Sequence, residues 1–158
     1  YQQHDIPVKI VRPFNNYGPG LNIDDKRVIP DFFKNVIDNK DITLFSNGSA
    51  TRTFCYISDA IEGYLRSLLS NHNGQSFNIG TELPEIDMKS LAHEIIKVSG
   101  KDLKINYKTN NDKEYTTDNP QRRCPSIKKA RELLNYNPKI SLNEGLKRTY
   151  SYYLLESI

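Results

Sequence analysis

Residues 46–69 read SNGSATRTFCYISDAIEGYLRSLL, and the two halves of this stretch obey different periodicities. In the second half Ile57, Ile61, Tyr64, Leu65, Leu68 and Leu69 recur at helical spacing, which predicts an amphipathic helix. Ser58 suits the N-cap, with Asp59 and Glu62 in the first turn, where carboxylates favour the positive end of the helix dipole. In the first half Thr53, Phe54, Cys55 and Tyr56 predict a buried strand, and the polar turn Asn47 to Ala50 delivers Arg52 to the mouth of that strand. A strand running straight into a helix is an α/β signature, and it leaves an arginine at the strand's entrance to be explained.

The flanking sequence repeats the alternation. Upstream, PVKIVR (residues 7–12) is a short apolar run with few polar positions, as in a strand buried on both faces. PFNNYGPGL follows as a shaped loop. VIPDFFKNVI (residues 28–37) predicts a helix with Pro30 in its first turn, where proline is tolerated. Ile42 to Phe45 is a strand. Downstream, Ser76 to Ile79 is a strand ended by Gly80. Residues 87–99 are a helix capped by Asp87, with Leu91, Ile95, Ile96 and Val98 apolar and Gly100 as its stop. Leu103 to Tyr107 is a strand, Lys108 to Asn119 a long polar loop, and Ser126 to Leu134 and Ser141 to Leu155 are amphipathic helices. Tyr1 to His4 reads as the tail of a helix.

With 158 residues the chain can bury a sizeable core. Its net charge of +3 comes from 22 basic and 19 acidic residues, and the basic ones are scattered rather than gathered into a nucleic-acid stripe. No apolar run approaches a membrane span. Cys55 and Cys124 lie far apart without metal-ligand spacing, and Cys55 in its apolar strand reads as a small buried hydrophobe. The histidines form no sequence cluster. No metal site is expected.

The chain has no glycine-rich phosphate loop, nucleophile elbow, HExxH or CxxC. Asp24 and Asp25 read as solvated loop acids. What remains is a set of arginines beside strand ends and tight loops: Arg27, Arg52, Arg122 and Arg123. A guanidinium fork suits two phosphate oxygens. Pro120 and Pro125 bracket Arg123, which lowers the entropy cost of fixing it. Singly, each arginine reads as a surface charge; together they point to an anionic ligand. Asn15 and Asn16 leave a similar choice open. Each either closes a turn through its side chain or meets a ligand at the carboxyl end of a strand, where open α/β sheets bind them.

The order VRPFNNYGPG, RVIPDFF, LFSNGSATRTFCYISDAIEGYL, FNIG and DNPQRRCPSIKKARELLNYNP resembles the carboxyl-terminal part of an extended short-chain dehydrogenase/reductase acting on nucleotide sugars. Within that family it resembles most the UDP-glucuronate decarboxylase branch. dTDP-glucose 4,6-dehydratases and UDP-glucose 4-epimerases share the framework. The resemblance implies an α/β fold: the substrate-binding lobe with the final part of a Rossmann sheet, its amino-terminal half absent. Residues 1–27 would be the remnant of the NAD-binding domain and connecting loop, and 28–158 mostly the nucleotide-sugar domain. The catalytic Tyr-x-x-x-Lys is expected before residue 1, so this chain alone is expected to be inactive.

By the same resemblance, Asn15, Arg52 and Arg123 match residues that hold the sugar nucleotide. Ile29 and Phe33, on the helix start, flank the nucleotide, and Leu44 and Phe45 pack near the uracil. Asn16 and Arg27 fall where the decarboxylases approach NAD. The implied partner is a UDP-sugar, with no nucleic acid or membrane, in a cytoplasmic parent that forms a homodimer. The chain departs from the branch at Gly20, where the decarboxylases usually carry arginine, and at Ser126, where they carry aspartate. Two other readings stand beside this one: a non-catalytic nucleotide-sugar-binding module, and a structural domain whose arginines bind nothing.

Overall fold

The computed structural model describes residues 3–4, 6–108 and 120–156. Tyr1, Gln2 and nearly all of the expected polar loop (109–119) lie outside the described residues; residues 3–4 form a turn. Short strands alternate with helices in the order β1 (Ile10–Pro13), β2 (Asn16–Tyr17), α1 (Val28–Ile37), β3 (Ile42–Leu44), β4 (Thr51–Arg52), β5 (Cys55–Tyr56), α2 (Ile57–Leu69), β6 (Ser76–Ile79), β7 (Ile86–Asp87), α3 (Met88–Ser99), β8 (Ile105–Tyr107), β9 (Arg122–Arg123), α4 (Lys128–Leu134) and α5 (Leu142–Glu156). The α/β class expected from the alternation is the one observed.

Three parallel pairs, β1–β6, β2–β5 and β3–β8, are joined by crossovers. A fourth sheet has the order β7–β4–β9, antiparallel on one side of β4 and parallel on the other. Two apolar clusters fill the interior. Phe33, Val36, Ile42, Leu91, Ile95 and Leu146 belong to the larger, between α1, α3, α5 and β3. Cys55, Ala60, Phe77, Ile79, Ile127, Ala130, Leu134 and Tyr136 form the second. In the second, the Cys55 thiol lies 3.5 Å from the Tyr136 hydroxyl, which donates to the Gly80 carbonyl at 2.9 Å. Burial pushes the thiol up to about 11, so Cys55 is the inert small hydrophobe that the sequence suggests.

Local signals place several elements to the residue. Helix α1 spans residues 28–37 as predicted, and β6 spans 76–79. The Asp87 carboxylate accepts from the Ser90 amide at 2.8 Å, and Gly100 ends α3 at φ +68, the left-handed position glycine adopts without Cβ strain.

Other expectations are corrected. The first strand begins at Ile10, not Pro7, and is exposed along its length; its apolar sequence therefore does not report burial here. Thr53 to Tyr56 is buried but not one strand: residues 51–52 pair with β7 and β9, 55–56 pair with β2, and 53–54 lie between. Ser58 is not the cap of α2, which starts at Ile57 after an extended Tyr56 with no side-chain cap bond. Asp59 instead accepts from the Lys139 and Ile140 amides at 3.0 and 2.9 Å.

The face of α2 is also the reverse of its hydrophobic periodicity. Asp59, Ala60, Gly63 and Ser67 are its buried residues, while Ile61, Leu65, Leu68 and Leu69 are exposed. The cause is distance: a Cβ on Gly63 would stand 2.6 Å from Ile79 Cγ2 and 3.0 Å from the Tyr136 ring. A helix this close to a neighbouring strand can turn only small residues toward it.

Candidate binding cleft

A cleft of about 850 Å³ opens between the loop after β2, the first turn of α1, the end of β3 and the edge of β4 and β9. That volume suits a small organic ligand. Its inner wall is apolar and buried: Tyr17, Ile29, Phe32, Leu44 and Phe54. Lys26, Arg27, Arg52 and Arg123 also line it, against one carboxylate, Asp31. Burial raises the Asp31 carboxyl, with Lys34 pulling the other way, so even this acid resists ionisation more than a solvated one. An apolar slot bordered by four cations suits a ligand with a flat or apolar part and a negatively charged part.

The four arginines singled out from the sequence have four different fates. Arg122 grips Glu85 with Nε and Nη2, each at 2.8 Å, and the Thr51 hydroxyl shares that carboxylate at 2.6 Å. Arg27 pairs with Asp25 two residues before it, and Asp24 pairs with Lys34. Both loop acids are thus ion-paired rather than merely solvated. Arg52 is buried, with 7% of its surface exposed. Its Nη1 donates to the Thr51 carbonyl at 2.7 Å and the Gln121 carbonyl at 3.3 Å, and its Nη2 donates to the Pro120 carbonyl. Arg52 lines the cleft while its guanidinium is held by these backbone carbonyls; Asp59 holds the backbone at 139–140, and Glu62 pairs with Arg66. Arg123 is exposed, and its guanidinium makes no hydrogen bond or ion pair among the described residues.

Asn15 sits at φ +43, and its amide donates to the Thr53 carbonyl at 2.8 Å. The bond spans 38 residues and so ties the cavity wall together rather than closing a local turn, and the residue lines the cavity. Asn16 donates from Nδ2 to the Tyr64 hydroxyl, and its buried Oδ1 has no hydrogen-bond partner among the described residues. An orphaned buried acceptor costs free energy until a donor reaches it.

Of the remaining sequence candidates, Ile29, Leu44 and Phe45 line the cleft, although β3 ends at Leu44 and Phe45 lies just beyond it. Phe33 does not line it. It is fully buried, its ring stacked 5.7 Å from Tyr150 and edge-on to Tyr153 at 5.9 Å. Phe32 takes the place on the cavity wall. Phe32 and Phe33 are successive residues, about 100° apart around α1, so the two rings do not face the cleft together. Lys26, Thr43 and Ser46 also line the cleft and carried no motif in the sequence. Among the described residues no group of His, Cys, Asp and Glu side chains is placed to hold a metal ion, and no helix is long and apolar enough to cross a membrane.

Comparison with known proteins places this geometry. Residues 1–80 match the NAD dependent epimerase/dehydratase family. The chain is 38% identical over 146 residues to UDP-glucuronic acid decarboxylase 6 of Arabidopsis thaliana, covering 92% of this chain and 40% of that protein. The fold superposes on UDP-glucuronic acid 4-epimerase from Bacillus cereus, solved with UDP-glucuronic acid and NAD, at a TM-score of 0.85 and 30% identity, covering 98% of this chain and 48% of that one. It superposes on dTDP-glucose 4,6-dehydratase from Bacillus anthracis, solved with NAD, at 0.83 and 25% identity, with coverage of 98% and 47%. The chain thus spans about two fifths of that curated relative and about half of the solved structures.

Proposed function

Because the chain belongs to the NAD dependent epimerase/dehydratase family, we propose that it is the nucleotide-sugar-holding part of an NAD-dependent enzyme that converts UDP-glucuronate to UDP-xylose and carbon dioxide. The observation that carries this reading is the cleft itself: a buried apolar wall that suits a nucleobase, next to the exposed guanidinium of Arg123, which has no partner among the described residues. The 38% identity to a decarboxylase supports that reaction over epimerisation or dehydration, which the similar solved structures keep as the alternatives.

In this reading Arg123 meets the diphosphate, Asn15 and Arg52 border it, and Ile29, Leu44 and Phe45 hold the uracil. Phe32 replaces Phe33 on that wall. Residues 1–27 complete the NAD-binding domain and 28–158 mostly form the sugar-nucleotide domain, with β6 returning to pair with β1. The orphaned Asn16 Oδ1 fits a donor on NAD, with Arg27 beside it in the cleft; bound NAD supplies the hydride acceptor that the chemistry needs. The chain's own residues bind and orient the sugar, exclude water from its apolar end and screen its negative charge. The chain contains no Tyr-x-x-x-Lys and no glycine-rich phosphate loop, so residues 1–158 alone are proposed to turn over no sugar. The intact enzyme is proposed to act as a cytoplasmic homodimer.

Calorimetric titration with UDP tests this. Saturable binding that UDP-glucuronate strengthens and adenosine monophosphate does not reproduce is the expected result. No UDP binding by the intact protein refutes it.

A further inference from the structure

We infer that Lys26 is a ligand-binding residue: its ammonium supplies a charge contact to the diphosphate from the loop before α1, and it is kept there against the backbone preference of its own position. This rests on the nucleotide-sugar reading above and adds a residue to it.

Among the described residues, four that are not glycine take a positive φ: Asn15, Asn39, Asn135 and Lys26, the last at φ +59. Asparagine enters the left-handed region readily, because its short side chain can bond the nearby backbone. A lysine there has no such compensation, and its Cβ crowds the following carbonyl. Regular structure lies on both sides of it. The Asp25 amide bonds the Asn22 carbonyl at 3.1 Å, closing a turn. Helix α1 opens two residues after Lys26, with the Asp31 amide on the Arg27 carbonyl at 2.9 Å. Lys26 is the joint between turn and helix, where glycine or asparagine is the ordinary occupant.

The side chain stands where that cost has a use. Lys26 is exposed and lines the cleft. The charges around it are already matched: Asp24 pairs with Lys34, and Asp25 with Arg27. Lys26 itself makes no side-chain hydrogen bond or ion pair among the described residues. Arg27 also lines the cleft, but Asp25 holds its guanidinium. The uncompensated positive charge of residues 24–27 is therefore that of Lys26. Three residues on, Ile29 begins the apolar wall assigned above to the nucleobase. Arg123 reaches the same cleft from β9. A diphosphate beside that wall would meet two cations, one from the loop and one from the strand. An ammonium is a point charge that needs no fixed fork geometry, which suits a loop.

Calorimetry on the intact protein tests this with UDP and uridine, for wild type, Lys26→Asn, Lys26→Gly and Lys26→Arg, with melting temperatures measured in parallel. Asparagine keeps the left-handed backbone and removes the charge. Lys26→Asn and Lys26→Gly are expected to weaken UDP about threefold to tenfold and to leave uridine affinity unchanged. They are also expected to raise the melting temperature by about 1–3 °C. Lys26→Arg is expected to keep UDP affinity within about twofold, because the position supplies charge rather than a fork. Unchanged UDP affinity in the Asn and Gly variants overturns the inference. An equal loss for uridine also overturns it, since Lys26 would then serve the nucleobase wall and not the phosphates. UDP-glucuronate is expected to lose the same factor as UDP; a larger loss there would give Lys26 to the sugar's carboxylate and overturn the diphosphate contact. A lower melting temperature in both variants would give Lys26 a structural role and overturn it as well. If wild type binds no UDP, the nucleotide-sugar reading itself has failed, whatever the variants do.

Discussion

Arg52 and Arg123 stand opposite each other in the parallel β4–β9 ladder, one buried on three backbone carbonyls and the other exposed without a partner among the described residues. Carbonyl dipoles stabilise the charge of the inner one.

Replacing Arg123 by alanine is expected to weaken UDP binding by about tenfold to a hundredfold, the equivalent of roughly 1.5–3 kcal/mol for a charge-assisted contact. Its melting temperature is expected to match wild type, because the side chain is exposed and bonds none of the described residues. Arg123→Lys should recover only part of the affinity. Calorimetry and thermal melts on the same samples check both.

Phe33 is a core residue, so Phe33→Ala is expected to destabilise the fold by about 3–5 kcal/mol through cavity formation and the loss of its stacking partner. Phe33→Leu should fold and bind UDP like wild type. A large loss of affinity in folded Phe33→Leu would instead put that ring at the ligand.

Asp59 joins α2 to the segment before α5 through the Lys139 and Ile140 amides. Asp59→Ala strands both amides and is expected to cost roughly 2–4 kcal/mol in chemical denaturation. Asp59→Ser, a short acceptor unable to reach both, should fall between.

Glu82 and Glu85 fasten the segment that carries Arg123. The Arg131 hydrogen bond, the Ile127 amide and the Ser126 hydroxyl lower the Glu82 carboxyl. The Arg122 hydrogen bond and the Thr51 hydroxyl lower that of Glu85. Their folded values lie below the ordinary value of 4.5. The stability they add is therefore fully present above that pH and is lost as pH falls through the lowered values. Hydrogen exchange at residues 121–131 is expected to quicken as pH falls below about 4.5 beyond its intrinsic pH dependence, less steeply in Glu85→Gln. Both pairs are partly exposed, so added salt should shrink the effect.

Most helices were legible in the sequence, to within a residue or two, because a helix is set by neighbours along the chain. α1 follows from its periodicity and from a proline in the first turn; α3 follows from Asp87 before it and Gly100 after it. The family was legible too, since its motifs are contiguous strings. Tertiary structure alone decided which face of α2 turns inward. There the close helix–strand approach that Gly63 permits, with room for no Cβ, outweighs the pull of four large apolar side chains toward burial. It also decided the roles of the arginines. Every arginine carries the same charge and fork, and its role depends on what stands within about 3 Å of it. For Arg52 two of those partners, the Pro120 and Gln121 carbonyls, lie 68 and 69 residues along the chain, and no local periodicity carries information over that distance.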